Sequence, residues 1–188
     1  VGGVMLVAIL KPHARLEGLV VPKPHQLFFG RYFLFFVMSQ IQAAVIVAGD
    51  LLVLKIQCVE PALLFATGAI TSLVFSLLIY ALTVSFGDVG KAVVVVVMVL
   101  QIAGSSGTFP IELLPDVYQK IYHIFPFPYA IDAVRECVCG LYGTTWLKNI
   151  GCLLIFGAAA LVIGLLVRKP FMGLNHFMEE KLKETEML

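Results

Sequence analysis

Residues 100–142, LQIAGSSGTFPIELLPDVYQKIYHIFPFPYAIDAVRECVCGLY, decide how the whole chain is read. The stretch leaves an apolar run at Gly104, Ser105, Ser106 and Gly107, a cluster that holds a helix poorly. Pro110 follows, and proline suits a helix's first turn because it needs no backbone donor there. Leu114, Val117, Ile121 and Ile124 then recur at helical spacing, with Glu112, Asp116, Gln119, Lys120 and His123 between them. An apolar stripe with a charged back predicts an amphipathic helix. Pro115 marks its start, and Pro126 and Pro128 its end. A second helical pattern sets Ile131, Val134, Val138 and Leu141 on one face and Asp132, Arg135 and Glu136 on another. Two short amphipathic helices joined by prolines between apolar runs predict a hairpin at the membrane surface or folded partly back into it. An ordinary helical loop is the plainer alternative.

The composition fixes the setting of that hairpin. Of 188 residues, 60% are hydrophobic and 13% charged, and the mean hydropathy is +0.98. A soluble domain is about half apolar and about a quarter charged. A water-soluble fold of this size could not hide so much apolar surface. The net charge of +1 and the lack of a basic tract give no case for nucleic acid as a partner. The partner that composition demands is the lipid bilayer.

The chain therefore reads as an all-α, polytopic transmembrane helical bundle with an extracellular re-entrant or amphipathic hairpin before the last span. Residues 1–170 are the membrane domain. Residues 1–10 are apolar, but ten helical residues cover only about 15 Å, so they read as the exit half of a span. Residues 11–31 form a proline-rich connection bearing Lys11, Arg15, Lys23 and Arg31. Complete spans are expected at about 32–54, 62–86, 91–104 and 149–167, and the outer hairpin at about 108–142. Residues 87–91, GDVGK, read as a tight turn, and residues 171–188 as a cytoplasmic tail. With the first connection inside, Lys11, Arg15, Lys23, Arg31, Lys91, Arg168, Lys169, Lys181 and Lys183 are cytoplasmic. Lys55, Lys120, Arg135 and Lys148 are then outside. Nine against four satisfies the positive-inside rule and places the C-terminus in the cytoplasm.

Inside the spans, polar residues are few. Gly68, Ser72 and Ser76 form a small-xxx-small face with Thr71 beside it, and Ala160 with Gly164 repeats the spacing. Close helix packing explains such a face more simply than a substrate path does. Asp50 is the one acid within a span. An ionisable residue in lipid faces protein or water, yet Asp50 lies within about one turn of the outer end and could also reach the interface. Gln40, Gln42 and Gln101 are candidates for contacts between helices.

Nothing in the sequence reads as catalytic. Cys58, Cys137, Cys139 and Cys152 are scattered, and the C-x-C pair has neither zinc nor redox spacing. The four histidines form no metal motif. GDVGK lacks the phosphate-loop spacing, and Ala92 stands where a hydroxyl is needed. No enzyme activity, cofactor or metal is expected.

Beyond these residue-level readings, GSSGTFPIELLP (104–115) followed by FPFPYAIDAVRE (125–136) closely resembles the C-terminal membrane region of the YhgE/Pip family. These are the phage infection proteins of Gram-positive bacteria, and that region is similar to the type-2 permease domains of ABC exporters. Through GDLLVL, FGDVGKA and the final apolar span, the resemblance extends in weaker form over residues 30–168. It implies a bacterial cell-membrane permease that forms a homodimer and exports a substrate, with hydrolysis on a separate ATPase subunit. It also implies an N-terminal span and an extracellular region preceding this segment. The alternative it carries is a cell-surface receptor or scaffold, with phage or a secretion machine as partner. By analogy with the outer re-entrant element of such exporters, gating or partner contact falls to Gly104, Gly107, Pro110, Glu112, Pro115, Pro126, Tyr129, Asp132, Arg135 and Glu136, and Asp50 joins these candidates as the one acid within a span.

Overall fold

Apolar helices in lipid gain little from burying one another, because the acyl chains are as greasy as leucine. What holds them together is close approach at small residues and hydrogen bonds between helices, and both are present here. The computed structural model describes residues 24–104, 116–121 and 124–167. Among these residues every regular element is helical, as expected. The elements are α1 (Pro24–Leu52), α2 (Pro61–Gly104), α3 (Asp116–Ile121), α4 (Pro126–Cys139) and α5 (Thr145–Val162). α5 continues as one π-helical turn, Ile163–Val167.

α2 is two limbs rather than one rod. At Gly87 the backbone takes φ 59°, ψ −133°, a conformation open to glycine and strained for other residues. The chain reverses there. A Cβ added to Gly90 would lie 2.4 Å from the carbonyl oxygen of Leu82, so the two limbs touch through backbone at the turn. Val94 on the return limb joins the buried cluster of Leu77, Ile79 and Tyr80 on the outgoing one. The tight turn expected at residues 87–91 is therefore the hinge of a helical hairpin.

Among the described residues, three helices are long and apolar enough to cross a membrane: Tyr32–Leu52, Pro61–Gly87 and Thr145–Leu165. The return limb, Val89–Ile102, is shorter. At 1.5 Å per residue it covers about 21 Å of a hydrocarbon core about 30 Å thick. The outward faces of these helices are apolar and exposed, with Phe33, Val45, Val96 and Ile155 among the residues offered to lipid.

The outgoing limb of α2 is the centre of the bundle. On one side it meets α1 along the small-residue face. A Cβ on Gly68 would come within 2.9 Å of Val47 Cγ2. The Ser72 hydroxyl donates to the Ser39 carbonyl at 2.7 Å, and the Gln40 amide donates to the Ala69 carbonyl at 3.1 Å. The Tyr32 hydroxyl reaches the Leu73 carbonyl and Ser76 Oγ, each at 3.2 Å. The Gly68–Ser72–Ser76 spacing thus serves helix packing. On its other side the limb meets α4 and α5, where Val74 is buried with Ala130, Ala133, Ile150 and Leu153. Gly157 extends that seam, since a Cβ there would touch Val74 at 3.3 Å. At the far end the Ser85 hydroxyl donates to the Ile163 carbonyl at 3.4 Å, in the turn where α5 widens to π geometry.

Candidate functional site

The hairpin before the last span is built from the prolines. Phe125 is extended (φ −102°, ψ 149°), and Pro126 opens α4 as the first helical residue, the position where a missing N–H costs nothing. The sequence pattern assigned Pro126 and Pro128 to the end of the preceding helix. The described part of that helix, α3, is Asp116–Ile121, and Pro126 and Pro128 stand in the first turn of the next one.

α4 enters the bundle rather than lying on it. Its first turn places the Phe127 ring 5.0 Å from Phe75, edge to face. Phe75 lies about 21 Å along the outgoing limb from Pro61. Its middle buries Ala130 and Ala133 against Val74, Ile150 and Leu153. Its last turn returns to the level of the α1–α2 connection. There Val59 and Glu60 donate backbone N–H groups to the carbonyls of Val138 and Cys137, at 3.4 and 3.2 Å. Gly140 caps the Glu136 carbonyl at 3.0 Å. These bonds satisfy carbonyls that a helix end leaves without partners. α4 is thus a re-entrant helix running antiparallel to its two neighbours.

The face α4 buries differs from the one its hydrophobic stripe suggested. Val134 and Leu141 are exposed, and Ile131 and Val138 only half-buried. The buried face is Pro126, Ala130, Ala133 and Cys137. Small residues let backbones approach, whereas large apolar ones are equally at home in lipid. The anchor is polar. Cys137 Sγ lies 3.3 Å from Thr67 Oγ1, and the same hydroxyl accepts the Trp146 indole N–H at 2.9 Å. One buried threonine therefore ties α4 and α5 to α2.

Between α1, both limbs of α2 and α4 lies a half-enclosed cavity of about 380 Å³, within the size range of small-molecule sites. Its walls are mostly aliphatic, with Phe75 and Phe127 at the α4 side. Polar groups interrupt them: Ser39, Gln42 and Asp50 from α1, Thr71 and Ser72 from the outgoing limb, and Gln101 from the return limb. Among the described residues, Thr71 Oγ1 and Gln101 Oε1 are buried with no hydrogen-bond partner. Gln101 is only 5% exposed. An orphaned amide oxygen at that depth costs about 1–3 kcal/mol.

The sequence-derived candidates divide accordingly. Asp50 lines the cavity. Pro126 and Tyr129 belong to the embedded start of α4, with the Tyr129 ring 6.0 Å from Phe156. Asp132 and Arg135 pair at 3.2 Å on the exposed side of α4. Glu136 accepts the Tyr142 backbone N–H at 3.2 Å. Gly104 is the last residue of α2. Gly107, Pro110, Glu112 and Pro115 lie outside the described residues. Thr67 and Trp146 were not singled out by the sequence pattern. Gln101 was, but only as a contact between helices.

An apolar bundle with a re-entrant helix and a polar-lined cavity defines a polytopic membrane protein with a cavity inside its membrane domain. Residues 13–166 match the family described as "ABC-2 family transporter protein", so the chain belongs to that family. It is also 31% identical over 150 residues to a protein of Bacillus subtilis (strain 168) named "Uncharacterized protein YhgE". That alignment covers 78% of this chain and 19% of the relative's length. The resemblance to the YhgE/Pip membrane region is thereby established. No solved structure matches the chain significantly.

Proposed function

We propose that this chain is the membrane permease part of an ABC-type exporter, moving its substrate outward through a homodimer and performing no chemistry of its own. The carrying observation is the polar-lined cavity behind α4 in a chain of the ABC-2 transporter family. In this reading α4 is the outer gate, and the cavity is the pocket it covers. The positive-inside count supports an orientation with the Leu52 end of α1 outside and residues 171–188 in the cytoplasm. ATP hydrolysis then resides on a separate subunit. Tagged protein solubilised mildly from its own membranes should bring down an ATP-hydrolysing polypeptide. A crosslinked preparation with no associated ATPase, and no nucleotide-dependent flux in vesicles, would count against the proposal. A cysteine at Glu184 that reacts with an impermeant reagent in intact cells would reverse the orientation.

A further inference from the structure

We infer that the cavity is a binding site for a lipophilic cation, an apolar body carrying an ammonium group with N–H donors. Among the described residues the lining contains one charged side chain, Asp50, and no cationic one. Asp50 forms no side-chain hydrogen bond or ion pair among the described residues. The orphaned Gln101 Oε1 is an acceptor, and the orphaned Thr71 hydroxyl is able to accept. All three groups therefore suit a donor, and the carboxylate suits a positive one.

The depths agree with a single amphiphile. Gly90 sits against Leu82 at the turn. Counting helical rise from there brings Gln101 to roughly the level of Thr71, about 15 Å along the limb from Pro61. Asp50 lies about two turns nearer the Leu52 end, one helical turn above the Val47–Gly68 contact. Val94, Val97 and Met98 supply the greasy wall beyond. The paired rings of Phe75 and Phe127 border the space about 15 Å along the limb from the level of Asp50, where they face the apolar body. A neutral hydrocarbon would leave Asp50 unmet, and an anion would be repelled by it.

This inference concerns binding and goes beyond the exporter proposal. Failure of transport leaves it standing, and failure of binding leaves the exporter reading in place. The test uses the full chain in phosphatidylcholine nanodiscs, with empty discs subtracted, and three radiolabelled adamantane probes of matched size. These are 1-aminoadamantane, 1-adamantanol and adamantane-1-carboxylate, measured by equilibrium dialysis. The amine should bind saturably, about tenfold or more tighter than the other two. Asp50→Asn should remove that preference while sparing the alcohol. Gln101→Leu, about two turns from Asp50, should weaken the alcohol and leave the amine's preference in place. Val97→Trp, which fills the cavity from the return limb, should abolish saturable binding of both in protein of unchanged melting temperature. Equal binding of the three heads, or amine binding untouched by Asp50→Asn, would overturn the inference. So would an efficient crosslink between cysteines at Val97 in two copies, which would show that a second subunit occupies the cavity.

Discussion

The Trp146 indole N–H donates to Thr67 Oγ1 at 2.9 Å. Thr67 is fully buried, and its own hydroxyl proton goes to the Leu63 carbonyl at 2.7 Å. The hydroxyl thus serves α5 from α2 while touching Cys137 of α4. Thr67→Val keeps the shape and removes the acceptor. The mutant should lose about 1–2 kcal/mol in mixed-micelle unfolding. Thr67→Ser keeps the oxygen and should lose less. Equal stability of wild type and Thr67→Val would show that the indole finds another partner.

The α1–α2 seam makes a paired prediction. Gly68→Ala drives a methyl against Val47 Cγ2 at 2.9 Å and should destabilise by about 1 kcal/mol or more. Val47→Ala alone opens a small void. The double mutant should recover about 1 kcal/mol relative to the sum of the single changes. Additive costs would mean that Val47 already swings aside.

Glycine positions within the bundle should separate sharply. At Gly87 the positive φ makes Gly87→Ala cost about 1–3 kcal/mol. Gly90→Ala should be at least as harmful, because its Cβ meets the Leu82 backbone, which cannot swing aside. Gly49 sits in α1 with nothing within 4 Å of an added Cβ. Gly49→Ala should therefore stabilise, by up to about 1 kcal/mol. The ranking is read from melting temperatures of purified protein.

These contrasts show why part of the molecule was legible in sequence. Spans announce themselves, because lipid requires long uncharged runs. The turn at Gly87 announces itself through GDVGK. Small-xxx-small spacing at Gly68, Ser72 and Ser76 was informative for the same reason, since only small side chains let helix backbones touch. The packing face of α4 was not legible from hydrophobicity. Ile131, Val134 and Leu141 are satisfied by lipid or cavity as well as by protein, so their stripe does not point inward. Ala130, Ala133 and Cys137 carried the better signal, the same small spacing seen in α2. Whether Gln101 bridges helices or faces a cavity depends on the fold-back at Gly87, which no local pattern around Gln101 encodes.

The Asp132–Arg135 pair tests whether α4 carries function or only closes the bundle. The two side chains are 40% and 50% exposed at 3.2 Å, so their mutual attraction is screened. Arg135→Ala should shift unfolding by less than about 1 kcal/mol. As a gate or contact residue it should abolish export while the protein still reaches the membrane. Undiminished export would reduce α4 to a seal.

The last prediction concerns the depth of α4. A surface helix would expose its first turn as readily as its last. Here Phe127 contacts Phe75 well inside the bundle, while Tyr142, just past the end of α4, is 82% exposed. In a background with Cys58, Cys137, Cys139 and Cys152 replaced, single cysteines at positions 127 and 142 should differ strongly toward a charged maleimide. Position 142 should react fully from the side where the α1–α2 connection lies, because Val59 and Glu60 fix the end of α4 beside that connection. Position 127 should stay protected from both sides, since Pro126 and Pro128 flanking it are buried and a charged reagent is excluded from an apolar interior. Its labelling should rise only after detergent unfolding. Because Phe127→Cys itself loosens the ring contact, Pro128→Cys serves as a second protected position. Equal rates at 127, 128 and 142 in folded protein would place α4 on the membrane surface and remove the covered cavity with it.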